Sequence, residues 1–587
     1  MPTKISRRNF LQRSALAAGG VLLQACSKSS FSPAAQPTPS LQPTTRLTPG
    51  SPGTTPGPDT VLTFLHTNDT HGHLAPFRML GYPEPVGGMA RRATVARRIR
   101  QQAAHVLLVD AGDVHQGCLM ADAFQGEPDI ELMNELGYVA MGLGNHDLDY
   151  GWETLLQRRE GAFFPILCAN LLYTDSGQPV LNTYAIIEEG GVRVAFTSFA
   201  GPDWQYIVRP TDIPGMTFAD PIETARTLIP KIQAQADLIV VLGHQYLQDD
   251  YALVNAVPGI DIIIGAHEHA IKMDAVQMGG ALIVEAYQWG AHLGRLDVTI
   301  SGGKITSYAY DLIPLTADIP ADPTIEARVG TLQAELRQRY PERFELVGRA
   351  AIDISNENIR SQETPLGNLV CDVIRQKANA QVAIIPALTI LNALFAGPLT
   401  VQDIYDALPY PNNILILRLT GEQLQKILDQ SASGSGTGNF VQVSGVRFRI
   451  IGGVATDVTI DGRPLNPQQT YTVATTDYQV RRSAEYKELF ADARDLNEMD
   501  VTVKEALFEH IRAHSPIEAR TDGRIQLVDK FEVSQRKTPP TPVWVRQPYV
   551  ERQWQVHDLV WAELRKTQTM ASAEDKSLKA PLHKRRS

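Results

Sequence analysis

From Val61 onward, short runs of aliphatic and β-branched residues alternate with longer mixed stretches, and the runs end in polar clusters. The runs are VLTFLHTNDTHGH (61–73), HVLLVDAGD (105–113), YVAMGLGNHDLD (138–149), DLIVVLGHQ (237–245) and IDIIIGAHEH (260–269). Continuous apolar runs of this kind suit strands covered on both faces, and stretches between them such as GGMARRATVARRIRQQ read as helices. The pattern predicts a layered α/β domain over 60–318. Such sheets carry their functional loops at the carboxyl ends of strands, so the polar clusters should converge. EAYQWGAHLGRLDVTI (285–300) reads as the segment that closes the sheet. PTIEARVGTLQAELRQRY reads as an inter-domain helix within a linker at 319–345, and a second α/β domain is expected over 346–527.

Composition narrows the class. The chain has 587 residues, too many for one domain, and 43% apolar with 20% charged residues is ordinary for a protein that buries large cores. Lys+Arg number 54 against Asp+Glu 64, a net charge of −10. Without a basic block this argues against nucleic acid polymers as partners, because non-specific binding needs a cationic face. No apolar run reaches the roughly 20 residues that span a bilayer. Four cysteines, at 26, 118, 168 and 371, are too few and too scattered for a disulfide framework or a cysteine-held zinc. Any metal must be held by His, Asp and Asn.

The ends carry different information. S-R-R-N-F-L at 6–11, a moderately apolar stretch from Ala15 to Ala25 and L-Q-A-C ending at Cys26 resemble a twin-arginine signal with a lipoprotein cleavage box over 1–26. The expectation is export, lipidation of Cys26 as the only membrane attachment, and an extracytoplasmic location, periplasmic or at the cell surface. Residues 27–59, rich in Pro, Thr, Ser and Gly, read as a tether. The tail at 528–587, with Trp544, Trp554 and Trp561 and a basic end, reads as an appended docking segment.

Asp69, His71, Asp113, Asn145, His244, His267 and His269 offer oxygen and imidazole nitrogen without thiolate, a set that fits Mn, Zn, Co or Fe. Seven ligands are too many for one ion. Two divalent ions about 3.5–4 Å apart would share a carboxylate, clamp a phosphoryl oxygen and lower the pKa of a water from 15.7 toward about 7. N-D-T-H, A-G-D, G-N-H-D, G-H and G-A-H-E-H, in this order, resemble the calcineurin-type metallophosphoesterases, specifically the 5′-nucleotidase family. The resemblance implies a four-layer α/β sandwich. It assigns Asp69, His71, Asp113 and His269 to one ion and Asp113, Asn145, His244 and His267 to the other, with Asp113 bridging. His146 and Asp149 match the family's catalytic dyad. His73, His105, His115 and His292 match no family role and are expected to be structural. Arginines 91, 92, 97, 98 and 100 are expected on a solvated helix face.

The second domain, with R-S-Q-E-T-P-L-G-N-L (360–369), ALPYPNNILILRLTGEQLQKIL and TYTVATTDY, resembles the substrate-binding domain of the same family. By that resemblance Tyr410 and Tyr478 sandwich a nucleobase and Arg360 meets the charge of a small-molecule nucleotide or other phosphoester. Two segments depart from the family pattern. P-A-L-T-I-L-N (386–392) puts Leu391 where the family has an arginine, and R-R-S-A-E-Y (481–486) replaces a Gly-rich turn, so Arg481 or Arg482 is left to compensate. SASGSGTGN (431–439) reads as a flexible loop. The expected activity is nucleotide phosphomonoester hydrolysis. A 2′,3′-cyclic phosphodiesterase with 3′-nucleotidase activity, a nucleotide-sugar pyrophosphatase and a dimanganese thiosulfohydrolase share the metal site and stay open, as does the oligomeric state. A non-catalytic surface binding protein would show eroded ligands, and here all seven are present.

Overall fold

The computed structural model describes residues 59–483 and 485–528; the expected signal, Cys26, the tether up to 58 and the tail from 529 lie outside them. The first half holds two six-stranded sheets. In chain order the strands are β1 (Thr60–Thr67), β2 (Val106–Asp110), β3 (Tyr138–Gly142), β4 (Ile166–Leu167), β5 (Tyr184–Glu189), β6 (Val192–Ala200), β7 (Leu238–His244), β8 (Ile262–Gly265), β9 (Val276–Met278), β10 (Ala281–Val284), β11 (His292–Ser301) and β12 (Lys304–Pro314). One sheet runs β12-β11-β1-β2-β3-β4, the other β9-β10-β8-β7-β6-β5. β1, β2, β3 and β4 are mutually parallel, as are β6, β7, β8 and β10.

The period-two alternation of strands sorts side chains into layers. Leu62, Phe64, Leu107 and Val109 meet Val194, Phe196, Val240, Leu242, Ile262 and Ile264 in a core between the sheets. Their neighbours Leu65 and Leu108 face the opposite way, under helices Met89–Gln102 and Glu127–Leu136. Ile239, Val241 and Ile263 pack under Pro221–Gln233 and Leu247–Ala256. The result is four layers: helix, sheet, sheet, helix. As expected, β11 closes the first sheet by running antiparallel to β1, Thr60 opposite Ile300.

Helix Pro323–Arg339 leads to the second α/β unit, and it is not free-standing. Ile325, Val329 and Leu336 are buried in the first unit's helical layer, Arg328 pairs with Glu131 and Glu135, and Arg97 with Asp322. In the second unit a five-stranded sheet, ordered Val441–Ser444, Val382–Pro386, Thr470–Thr476, Asn413–Thr420, Arg494–Thr502, carries its own core. The Ser/Gly stretch is not wholly loop: helix Gly421–Ser433 runs into it, and buried Ser431 accepts the amide of Val441 at 2.9 Å. Cys118, Cys168 and Cys371 are free thiols. Among the described residues no helix is long and apolar enough to cross a membrane.

Candidate active site

Parallel strands put all the polar clusters at one edge. Asp69 and His71 follow β1, Asp113 follows β2, Asn145 and His146 follow β3, His244 ends β7, and His267 and His269 follow β8. Two groups of side chains offer ligand atoms close enough to share an ion: Asp69, His71 and His269, and Asp113, His244 and His267. The groups adjoin. His269 Nε2 lies 3.4 Å from Asp69 Oδ1, His244 Nε2 3.2 Å from Asp113 Oδ2, His71 Nε2 3.8 Å from the same Asp113 oxygen, and His244 Nε2 4.0 Å from Asp69.

The backbone is bent to bring these residues in. Asp69, His71, Asp113, His267 and His269 have φ of 48°, 48°, 60°, 76° and 56°. Each left-handed non-glycine residue costs roughly 1–2 kcal/mol, so five cost on the order of 5–10 kcal/mol, and strain concentrated in this way marks a functional site. Gly144 lets two loops touch, since a Cβ there would stand 2.0 Å from the Asp113 amide nitrogen. Asp147 ties the same loops together. Its carboxylate accepts the amides of Asp113, Val114, His115 and Gly144 at 3.1, 2.9, 3.1 and 2.8 Å. The motif reading passed over Asp147, although it lies inside G-N-H-D.

Each imidazole is held by one nitrogen. The backbone carbonyl of Gln116 holds His71, that of Ala111 holds His244 at 2.9 Å, and Gln288 Oε1 holds His269 at 2.5 Å, all through Nδ1. His267 is held instead through Nε2, by Asp203 at 3.2 Å. His146 Nδ1 lies 2.8 Å from Asp149 Oδ2, and the His146 amide donates to Asp113 Oδ1 at 2.8 Å. Asp69, Asp113 and His244 are sealed, whereas the His146 side chain is 29% exposed and open to a substrate.

The electrostatics of the residues bear on whether cations fit here. Burial pushes Asp69 and Asp113 up, but the neighbouring imidazoles override it, His269 holding Asp69 at about 2 and His244 holding Asp113 well below the usual range. In return, and against burial, Asp113 raises His244 to about 10 and, with Asp149, His146 to about 9. The carboxylates demand positive charge. Buried Asn145 Oδ1 has no hydrogen-bond partner among the described residues, and buried His244 Nε2 meets the Asp113 carboxylate without hydrogen-bond geometry. Orphaned atoms beside a nitrogen and oxygen donor set fit divalent cations.

The remaining residues singled out from the sequence lie in the second unit. Tyr410 lies in the loop before Asn413–Thr420, and Tyr478 on the short helix Asp477–Arg481. Burial first, then the nearby charge of Asp149, pushes the Tyr410 hydroxyl up to about 12, with Tyr478, Arg360 and Asp113 also acting on it. Arg360 is half-buried, and its guanidinium has no hydrogen bond or ion pair among the described residues. Arg481 is taken up by Glu498 at 2.7 Å, and Arg482 pairs with Asp477 at 3.4 Å while lying 5.5 Å from the centre of the Tyr478 ring. Tyr486 is fully buried and donates to the Asn439 carbonyl at 2.6 Å.

The four histidines without family roles have structural partners. His73 stacks on Trp289, His105 pairs with Glu189, His115 with Asp147 and His292 with Tyr82. One arginine of the helix expected to be solvated corrects that expectation: Arg92 is 2% exposed and donates to the Tyr138 hydroxyl at 3.2 Å.

Comparison with known proteins matches this geometry. Residues 62–270 match the family described as Calcineurin-like phosphoesterase, and residues 346–490 match the 5′-nucleotidase C-terminal domain. A 5′-nucleotidase of Vibrio cholerae is 27% identical over 509 residues, covering 78% of this chain and 91% of the relative. The solved structure of a 5′-nucleotidase precursor from Thermus thermophilus superposes with a TM-score of 0.71 at 28% identity, covering 80% of this chain and 99% of that one.

The chain belongs to the 5′-nucleotidase family.

As a member it is a metal-dependent phosphoester hydrolase, with the family's catalytic and C-terminal domains in the family's order. The sulfate thiohydrolase SoxB of Thermus thermophilus, at a TM-score of 0.68 but 19% identity, shares the fold.

Proposed function

We propose that the protein removes phosphate from nucleotides at a pair of divalent cations and is exported and lipid-anchored at Cys26. Asp69, His71, Asp113 and His269 would hold one cation, and Asp113, Asn145, His244 and His267 the other. When bound, the cations supply Lewis acidity toward the phosphoryl group and make a water acidic enough to attack near neutral pH. His146 faces the leaving oxygen and donates its proton or stabilises the charge building there, while Asp149, 2.8 Å from Nδ1, fixes the ring. Arg360 takes charge on the substrate, and Tyr410 and Tyr478 take the base between their rings. Residues 60–318 form the catalytic domain, 319–345 the linker and 346–527 the substrate domain.

The observation that carries this reading is the position of His146. Its Nδ1 lies 2.8 Å from Asp149 Oδ2, its amide donates to Asp113 Oδ1, and its side chain is partly exposed beside the paired ligand groups. The test is phosphate release by purified protein from AMP, a 2′,3′-cyclic nucleotide, a nucleotide sugar and a sulfur conjugate, each with Mn, Zn, Co or Fe. The reading predicts release from AMP. No AMP hydrolysis with any of these metals, alongside turnover of another substrate, would reassign the site.

A further inference from the structure

We propose that Asp203 is a positioning residue that acts through His267 to set the affinity of one of the two cation sites; this rests on the paired-cation reading above. Three of the four imidazoles at the centre are held by neutral oxygens, the carbonyls of Gln116 and Ala111 and the amide of Gln288. His267 is held by a carboxylate, Asp203 Oδ2, at 3.2 Å from Nε2. The contact fixes the proton on Nε2 and leaves Nδ1 to the cation, whereas the other three rings are held through Nδ1. A charged acceptor behind a ligating imidazole makes the ligand more basic and locks its orientation.

The local structure gives Asp203 no other employment. It precedes the turn of helix Trp204–Ile207 without capping it through its side chain. Its second oxygen, Oδ1, is buried and has no partner among the described residues. Gly201 makes room for that oxygen, since a Cβ there would stand 2.8 Å from it. The next residue, fully buried Trp204, packs its ring edge against His244 at 5.6 Å, and Tyr246 packs against His267 at 4.6 Å. One turn of chain therefore braces both imidazoles assigned to the same cation. Among the described residues neither Asp203 nor Trp204 hydrogen-bonds to or packs on His71 or His269, so the effect belongs to one site.

The experiment compares metal-stripped full-length protein with its D203N variant, which keeps the size of the side chain and loses the charge. Mn²⁺ is titrated in, bound metal per chain is measured by equilibrium dialysis with elemental analysis, and the exchange-coupled two-manganese EPR spectrum is followed. Loss of such a support costs about 10–100-fold in metal affinity. The expected result is that one dissociation constant rises by that factor, the other is unchanged, and the coupled spectrum appears only at the higher Mn²⁺. Two unchanged constants, or equal weakening of both, would overturn the proposal. Wild-type protein binding a single ion would instead overturn the paired-cation reading, an outcome visible before the variant is compared.

Discussion

Asp147 offers the most quantitative test of how the centre is built. Its Oδ2 accepts the amides of Asp113 and Gly144 at 3.1 and 2.8 Å, and its Oδ1 those of Val114 and His115 at 2.9 and 3.1 Å. In Asp147→Asn the side chain keeps its shape, but one oxygen becomes an NH₂ group. Whichever way the amide turns, a donor faces two backbone N–H groups that have lost their acceptor. An unsatisfied buried donor costs about 1–3 kcal/mol, so two cost about 2–6 kcal/mol. The assay is urea unfolding of metal-stripped protein, which separates this cost from any loss of bound metal. The same variant should bind metal more weakly, because the loop it loosens carries Asp113. A change in unfolding free energy below about 0.5 kcal/mol would refute the claim that Asp147 holds the loops together.

Other predictions follow from the same geometry. His146→Ala is expected to keep two metal ions per chain by elemental analysis and to lose at least about a hundredfold in turnover, since general acid help is worth about 10² to 10⁴; unaltered turnover removes His146 from the mechanism. Tyr478→Ala should raise KM for a nucleotide by roughly 5–150-fold, the equivalent of about 1–3 kcal/mol of stacking, and leave a base-free sugar phosphate unaffected. An equal change for both substrates would deny the clamp. Asp129 is 1% exposed with an unpartnered Oδ2, and burial pushes it up to about 8. Its unfolded value is about 3.9, so between roughly pH 4 and 8 the native state holds a proton that the unfolded chain has lost, and stability falls as pH rises through that window. Asp129→Asn should lose less stability than wild type between pH 5 and 8 in urea unfolding; identical pH slopes would contradict this.

The strand-borne part of the centre was legible because ligands and strands are contiguous in sequence. An apolar run such as DLIVVLGH carries its ligand at its own end, so predicting the strand also places the side chain. What supports the ligands was not legible, because it comes from elsewhere in the chain. Asp203 lies 64 residues before His267 and belongs to no motif. Asp147 did lie inside a motif, yet its four amide partners depend on β2 and β3 being neighbours. Arg92 was misread because its charge dominates the pattern, although it shares the helix stripe of Met89, Ala96 and Ile99, all buried. Helix Pro323–Arg339 was readable as an inter-domain helix, but its packing on the first unit was not, because only Ile325, Val329 and Leu336 mark its narrow buried face. The Ser/Gly stretch hid Ser431, whose hydroxyl is usable only once Val441 lies beside it. Of the two arginines left to compensate for the expected departures from the family pattern, Arg481 pairs with Glu498 and Arg482 with Asp477.

The central claim is a paired-cation centre that shares Asp113. Anomalous diffraction from crystals grown with Mn²⁺ addresses it directly. The account predicts two peaks about 3.5–4 Å apart, with an Asp113 oxygen between them. A single peak, or two peaks that Asp113 does not join, would contradict it.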